Sequence, residues 1–139
     1  MINKMTLSFL SKMENESFAR CSAIAFLMPL NMTTQEVMEV KTIVAEGVTN
    51  AILHGYEGAD DKYVHLEIGY DEHRLVTIII SDNGVGIEDV NLAMQPLYTS
   101  KKELERSGMG MSIMSTFADS FDCFSKVHHG TKLVLQKQL

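Results

Sequence analysis

Asp82, Gly84 and Gly86 follow the apolar run Ile78-Ile79-Ile80 in the pattern D-x-G-x-G. An ionised carboxylate only accepts hydrogen bonds. At the end of a buried strand it suits an amino donor such as N6 of adenine, and it repels guanine, which presents an oxygen there. The two glycines let the backbone bend away from the acid. The same residues also suit an Asx turn that closes the strand with help from Asn83, because acids followed by glycines are common in turns.

Two further groups have comparable potential. Glu46 and Asn50 lie four residues apart in a helical stretch, so they share a face. An Asn carbonyl can hold Mg2+ when phosphates and water complete the shell, and a Glu one turn away can orient or deprotonate a hydroxyl that attacks a γ-phosphate. A solvated polar face is the other reading. Gly108-Met109-Gly110 opens a helix after a segment containing Lys101 and Arg106. Glycines at a helix start let backbone N–H groups approach phosphates, and the helix dipole favours the anion. A loop ending in a helix-starting glycine fits equally. No G-x-x-x-x-G-K-[ST] pattern occurs, and His54, His65, His73, His128 and His129 lack metal-site spacing.

These groups need a helix and a strand brought side by side. Lys4 to Leu10 alternates as a short strand. Glu14 to Met28 reads as a helix with Phe18, Cys21, Ala25 and Met28 inward and Glu16 and Arg20 on its polar face, stopped by Pro29. Thr33 and Glu36 form a capping box for a second helix. That helix runs to about His54 on a stripe of Val37, Val40, Val44, Val48 and Ala51, with Gly55 as terminator. Val64 to Tyr70 and Leu75 to Ser81 form a hairpin around Asp71 to Arg74. Glu88 to Met94 is a short helix, and 97–107, which contains Thr99, has no clean period and reads as a loop. A helix from Gly108 turns Met111 and Met114 inward. Phe121 to Lys126 and Thr131 to Gln136 are two last strands joined across His128-His129-Gly130. Helices with mostly hairpin-linked strands predict an α/β two-layer sandwich. Its sheet is antiparallel or mixed, with helices on one face.

A length of 139 residues without repeats or linkers suits one domain, 1–139. The net charge of −6 lacks the basic excess of nucleic-acid binders. No apolar run approaches a membrane span of about 20 residues, and Met1 to Leu10 is unlike a secretory signal. Cys21 and Cys123 form no metal or redox motif and read as reduced, buried thiols of a cytoplasmic protein, with a disulfide as the second reading.

The order of the groups is more specific than any one of them. E-x-x-x-N on a helix precedes strand–D-x-G-x-G, then a basic loop, then G-x-G opening a helix, then Gly130-Thr131 on a late strand. This order resembles the GHKL (Bergerat) ATP-binding fold of gyrase, Hsp90, histidine kinases and mismatch-repair ATPases. The resemblance covers nearly the whole chain. Within that fold the chain is most similar to bacterial anti-sigma factors that are also serine kinases, in particular the anti-sigma F factors of sporulation. The residues that carry this are Asn15-Glu16-Ser17-Phe18-Ala19-Arg20, Val48-Thr49-Asn50-Ala51-Ile52, His54-Gly55-Tyr56, Gln95-Pro96-Leu97 and 103–110.

The resemblance implies roles. Glu46 is the catalytic base, Asn50 holds Mg2+, and Asp82 reads the adenine of ATP. Gly84 and Gly86 line the base pocket with help from Thr131. An ATP lid at about 96–108 contributes Thr99, Lys101, Arg106, Gly108 and Met109, and Gly110 follows it. Arg20 and Glu16 match a surface that docks either a sigma factor (sigma F type) or an anti-anti-sigma factor, within a segment at about 4–29. A homodimer with ATP sequesters the sigma factor and inactivates the anti-anti-sigma factor by phosphorylating a serine on it. The first strand lies near the dimer interface. No direct nucleic-acid contact or membrane anchoring is implied. A general stress-response anti-sigma kinase, or a nucleotide-gated sigma-binding module without kinase activity, fits the same residues.

Overall fold

The computed structural model describes residues 1–94 and 110–139. Strand β1 (Asn3–Leu10) leads to helix α1 (Glu14–Leu27), a 3-10 turn at Met28–Leu30 and helix α2 (Thr34–Asn50). A π-helical turn at Ala51–Gly55 follows, then strands β2 (Tyr63–Tyr70) and β3 (Leu75–Asp82) and the short helix α3 (Val90–Ala93). Helix α4 (Gly110–Phe117) and strands β4 (Ser120–Lys126) and β5 (Gly130–Gln138) complete the described chain. The strands form one sheet in the order β1-β2-β3-β5-β4, with every pairing antiparallel.

Period-two patterning aims this sheet. Val64, Leu66, Ile68 and Tyr70 on β2, and Val76, Ile78, Ile80 and Asp82 on β3, are buried on one face. His65 and Tyr63 on the opposite face are exposed. The β2–β3 turn closes on Asp71, whose Oδ1 accepts the N–H of His73 at 2.8 Å and of Leu75 at 3.0 Å. The buried sheet face meets Ala19, Ala23 and Leu27 of α1, Val40, Ile43, Val44 and Val48 of α2, and Met111 and Met114 of α4 in one core. Burying each larger aliphatic side chain contributes about 1.5–3 kcal/mol.

The capping box is present. Thr33 Oγ1 accepts the Glu36 N–H at 3.1 Å, and Glu36 Oε1 accepts the Thr33 N–H at 2.9 Å. Helix α1, in contrast, is turned from the expected side. Phe18 is 55% and Met28 63% exposed, Cys21 and Ala25 are also exposed, and Ala19, Ala23 and Leu27 face the core. Both stripes are apolar, so periodicity alone does not choose between them. Small alanines at i and i+4 let α1 approach α2 closely, and that selects the Ala19 side. Cys21 is therefore an exposed free thiol and not a buried one, while Cys123 is half-buried and free. Among the described residues, no helix is long and apolar enough to cross a membrane.

Candidate functional site

The end of β3 is the centre of the site. Asp82 is 7% exposed and stands opposite Thr131 of β5, which is also buried. Burial pushes the Asp82 carboxyl up to about 6, against the N–H groups of Gly84 and Thr131, which favour the charged form. Its Oδ1 accepts the Gly84 N–H at 2.9 Å, so the Asx turn expected at this acid does form. That bond occupies one carboxylate oxygen and fixes the side chain's direction.

The chain leaving α2 builds the seat. The π-helical turn swings Gly55 beneath the acid, and a Cβ there would stand 2.7 Å from the Asp82 carboxyl carbon. Such turns widen a helix locally and often mark functional positions. Gly84 crosses Gly55 so closely that a Cβ would lie 1.9 Å from the Gly55 carbonyl oxygen, which accepts the Val85 N–H at 2.8 Å. Gly86 has φ +78°, and a Cβ there would meet the Lys126 carbonyl at 2.2 Å. Gly84→Ala must therefore separate the two crossing segments. Overpacking of this kind costs about 1–3 kcal/mol. The variant should show a lower melting temperature and a larger proportional loss of nucleotide affinity, read by titration on the folded fraction.

Polar side chains brace the turn from outside. Tyr56 Oη accepts the Asn83 N–H at 2.8 Å. Ser125 Oγ accepts the Ile87 N–H at 2.7 Å and lies 2.8 Å from Thr131 Oγ1. Thr131 thus sits beside Asp82 with its hydroxyl engaged by β4. Cys123 is close enough that the Asp82 charge adds to burial in pushing its thiol up to about 11, which leaves it a poor nucleophile.

Glu46 and Asn50 are half-buried on the last turns of α2. Four residues of helix separate them by about 6 Å along the axis. Gly47, between them, faces Ile80 of β3 and Met114 of α4. Glu46 reaches the start of α4, where its Oε2 lies 2.9 Å from the place a Gly110 Cβ would occupy. The first turn of α4, the Glu46 carboxylate and the end of α2 therefore meet. Asp82 and Thr131 are joined to them through Gly47, Ile80 and Gly55. The lid positions Thr99, Lys101, Arg106, Gly108 and Met109 lie outside the described residues.

Glu16 and Arg20 are elsewhere, on α1. Arg20 Nε donates to Glu16 Oε2 at 2.9 Å, with the two side chains 35% and 17% exposed. The pair is a half-buried i,i+4 bridge. Three residues of the Asp82 seat, Gly55, Tyr56 and Ser125, carry no site role in the sequence patterns. Gly55 reads as a helix terminator, and the run His54-Gly55-Tyr56 is its usable signal. Ser125 has none, because its role depends on the β4–β5 register.

Chemically, the described residues offer a buried acceptor at the end of β3 and a carboxylate against the start of α4. Among the described residues no cluster of three or more His, Cys, Asp and Glu side chains could cage a metal. A lone Asn oxygen suits Mg2+, which keeps several waters and takes its other ligands from substrate phosphates.

The histidine kinase-like ATPase domain family matches residues 12–137. The anti-sigma F factor of Clostridium perfringens strain SM101 is 50% identical over 139 residues, covering 100% of this chain and 99% of that one. The anti-sigma F factor of Clostridium kluyveri strain ATCC 8527 is 50% identical over 135 residues, covering 97% and 94%. Among solved structures, the RsbU and RsbW domains of Rv1364c from Mycobacterium tuberculosis align with a TM-score of 0.70 at 11% identity. That alignment covers 99% of this chain and 32% of the other. The histidine kinase domain of the Erythrobacter litoralis EL346 blue-light activated histidine kinase aligns with a TM-score of 0.57 at 17% identity, over 75% of this chain and 45% of that one. At such identities the two structures speak to the fold alone.

Proposed function

The chain belongs to the histidine kinase-like ATPase family and, within it, to the anti-sigma F factors, and on that premise we propose that it is an ATP-dependent serine kinase that works by partner switching. It binds a sigma factor of the sigma F type and keeps it from RNA polymerase. It also phosphorylates a serine of an anti-anti-sigma factor that competes for an overlapping surface, and it acts as a homodimer. The observation that supports this reading is the seating of buried Asp82 on Gly55 and Gly84, with Glu46 on α2 against Gly110, the first residue of α4.

Asp82 accepts from the adenine amino group, and the Gly84 N–H holds the carboxylate in place. Gly84 and Gly86 let the turn close on the backbone of Gly55 and Lys126, where side chains would collide, and so shape the wall of the base pocket. Asn50 would supply an oxygen to Mg2+, and the ion would contribute charge neutralisation at the phosphates. Glu46 takes the proton of the incoming serine hydroxyl as its oxygen bonds to the γ-phosphorus and the bond to the β-phosphate oxygen breaks, leaving ADP. Arg20, steadied by Glu16, belongs to the docking surface on α1.

Asn50→Ala should lose Mg2+-dependent ATP binding while changing nucleotide-free stability by no more than about 0.5 kcal/mol, as for a residue outside the core. Titration with and without Mg2+, beside thermal melts, reads both. A large drop in melting temperature without nucleotide would count against this placement of Asn50.

The function is tested in a three-component mixture of this protein, the sigma factor and the anti-anti-sigma factor, with γ-labelled ATP and Mg2+. Label on a partner serine, with sigma captured in ATP and released by unphosphorylated competitor, is the expected result. Capture of sigma without any label would reduce the protein to a nucleotide-gated binding module.

A further inference from the structure

Lys137 is the last inward-facing residue of β5, and its side chain is only 9% exposed. A lysine is almost never buried unless paired. Here the ammonium donates to Glu39 Oε1 on α2 at 2.8 Å and to the backbone carbonyl of Phe117, the last residue of α4, at 2.9 Å. A cation at a helix C-terminus is favoured by the dipole as well as by the bond.

The same two helices meet again at the opposite end, where Glu46 Oε2 lies against Gly110. Seven residues separate Glu39 from Glu46, and seven separate Gly110 from Phe117. At 1.5 Å per residue each interval is about 10 Å. Helices α2 and α4 therefore run antiparallel in matched register, with Gly47 against Met114 between the two contacts. One contact is the catalytic end. The other is made by a side chain from the sheet, which ties both helices to β5.

We propose that Lys137 is a positioning residue: by joining Glu39 to the C-terminal carbonyl of α4, it sets how far α4 slides along α2, and so where the first turn of α4 stands relative to Glu46. The inference rests on the phosphate-transfer reading for its consequence. A slide by a single residue would move that turn by about 1.5 Å, and misplacement by about 1 Å can cost a hundredfold in rate. Charge and reach matter more here than side-chain volume, so arginine should substitute in part and methionine should not.

The test compares the wild type with Lys137→Met, Lys137→Arg and Glu39→Gln, reading ATP and ADP affinity and phosphotransfer kcat per folded molecule. Glu39→Gln keeps the lysine and its bond to Phe117, and it serves if Lys137→Met fails to fold. In Lys137→Met the ratio of ATP to ADP affinity should fall about tenfold and kcat about ten- to a hundredfold, with Lys137→Arg recovering part of both. Adding Lys137→Met to Glu46→Gln should then lower kcat little further, because both act through the same contact. A lower melting temperature with an unchanged affinity ratio and unchanged kcat would overturn the proposal and leave Lys137 a stabilising residue only. Absence of transfer by the wild type would overturn the kinase reading instead, and the ATP-to-ADP affinity ratio would still decide the role of Lys137.

Discussion

Glu46→Gln should lower phosphate transfer to the partner serine by about 10²–10⁴-fold, the usual contribution of a positioned general base. It should leave ATP affinity within about twofold, because the amide keeps the shape and polarity of the carboxylate and loses only its basicity and charge. Glu46 lies at the rim of the core, and its carboxylate rests against the backbone of Gly110, where an amide fits the same space. Single-turnover transfer from pre-bound ATP separates the chemical step from binding. Transfer at the wild-type rate would assign the base elsewhere, while a parallel loss of ATP affinity would make Glu46 a ligand-binding group.

Asp82→Asn should produce two effects of opposite sign. The folded carboxyl has its pKa raised to about 6 from an ordinary 3.8, chiefly by burial. Below about pH 4 the acid is protonated in both folded and unfolded chains, and the shift costs nothing. As pH rises from about 4 to 6 the unfolded chain gives up its proton first, so this group withdraws stability. Above about 6 the full penalty, on the order of 3 kcal/mol, is in force. Asparagine carries no such charge and keeps an acceptor for the Gly84 N–H. The nucleotide-free variant should therefore be more stable than wild type at pH 7.5, by about 1–3 kcal/mol, and the gain should vanish near pH 4. Adenine nucleotide affinity should move the other way, down by about a hundredfold, since a charge-assisted bond to the amino group is lost and a second donor faces it. Denaturant melts across pH and nucleotide titration measure the two effects. A variant less stable than wild type at pH 7.5 would show that Asp82 is a structural acid.

Much of this arrangement can be read from the chain alone, for identifiable reasons. The capping box at Thr33 and Glu36 is local chemistry, and so is the Asp71 turn. The β2 and β3 faces follow from strict alternation. Asp82 stands out because an acid directly after a buried strand and before two glycines is a local anomaly. Helix α1 was legible as a helix but not in its rotation, because Phe18, Cys21, Ala25 and Met28 are as apolar as Ala19, Ala23 and Leu27. Only the sheet and α2 decide which stripe is buried. The seat of Asp82 was half legible. Gly84 and Gly86 belong to the same turn, whereas Gly55 arrives from 27 residues earlier in the chain through a π-helical turn that no local pattern marks. Lys137 was invisible for the same reason. A lysine near the end of a strand reads as solvated until α2 and α4 are packed over it.

On the proposed function, Asp82 on its glycine seat selects an adenine nucleotide at a site completed by Glu46 and Asn50. Calorimetric titration of the purified protein with Mg-ATP and then Mg-GTP tests it most directly. ATP should bind at least about a hundredfold more tightly, because guanine sets an oxygen against the carboxylate and leaves buried polar groups unpaired. In Asp82→Asn that preference should collapse. Equal affinity for the two nucleotides, or a preference unchanged by the substitution, would exclude Asp82 as the group that selects adenine.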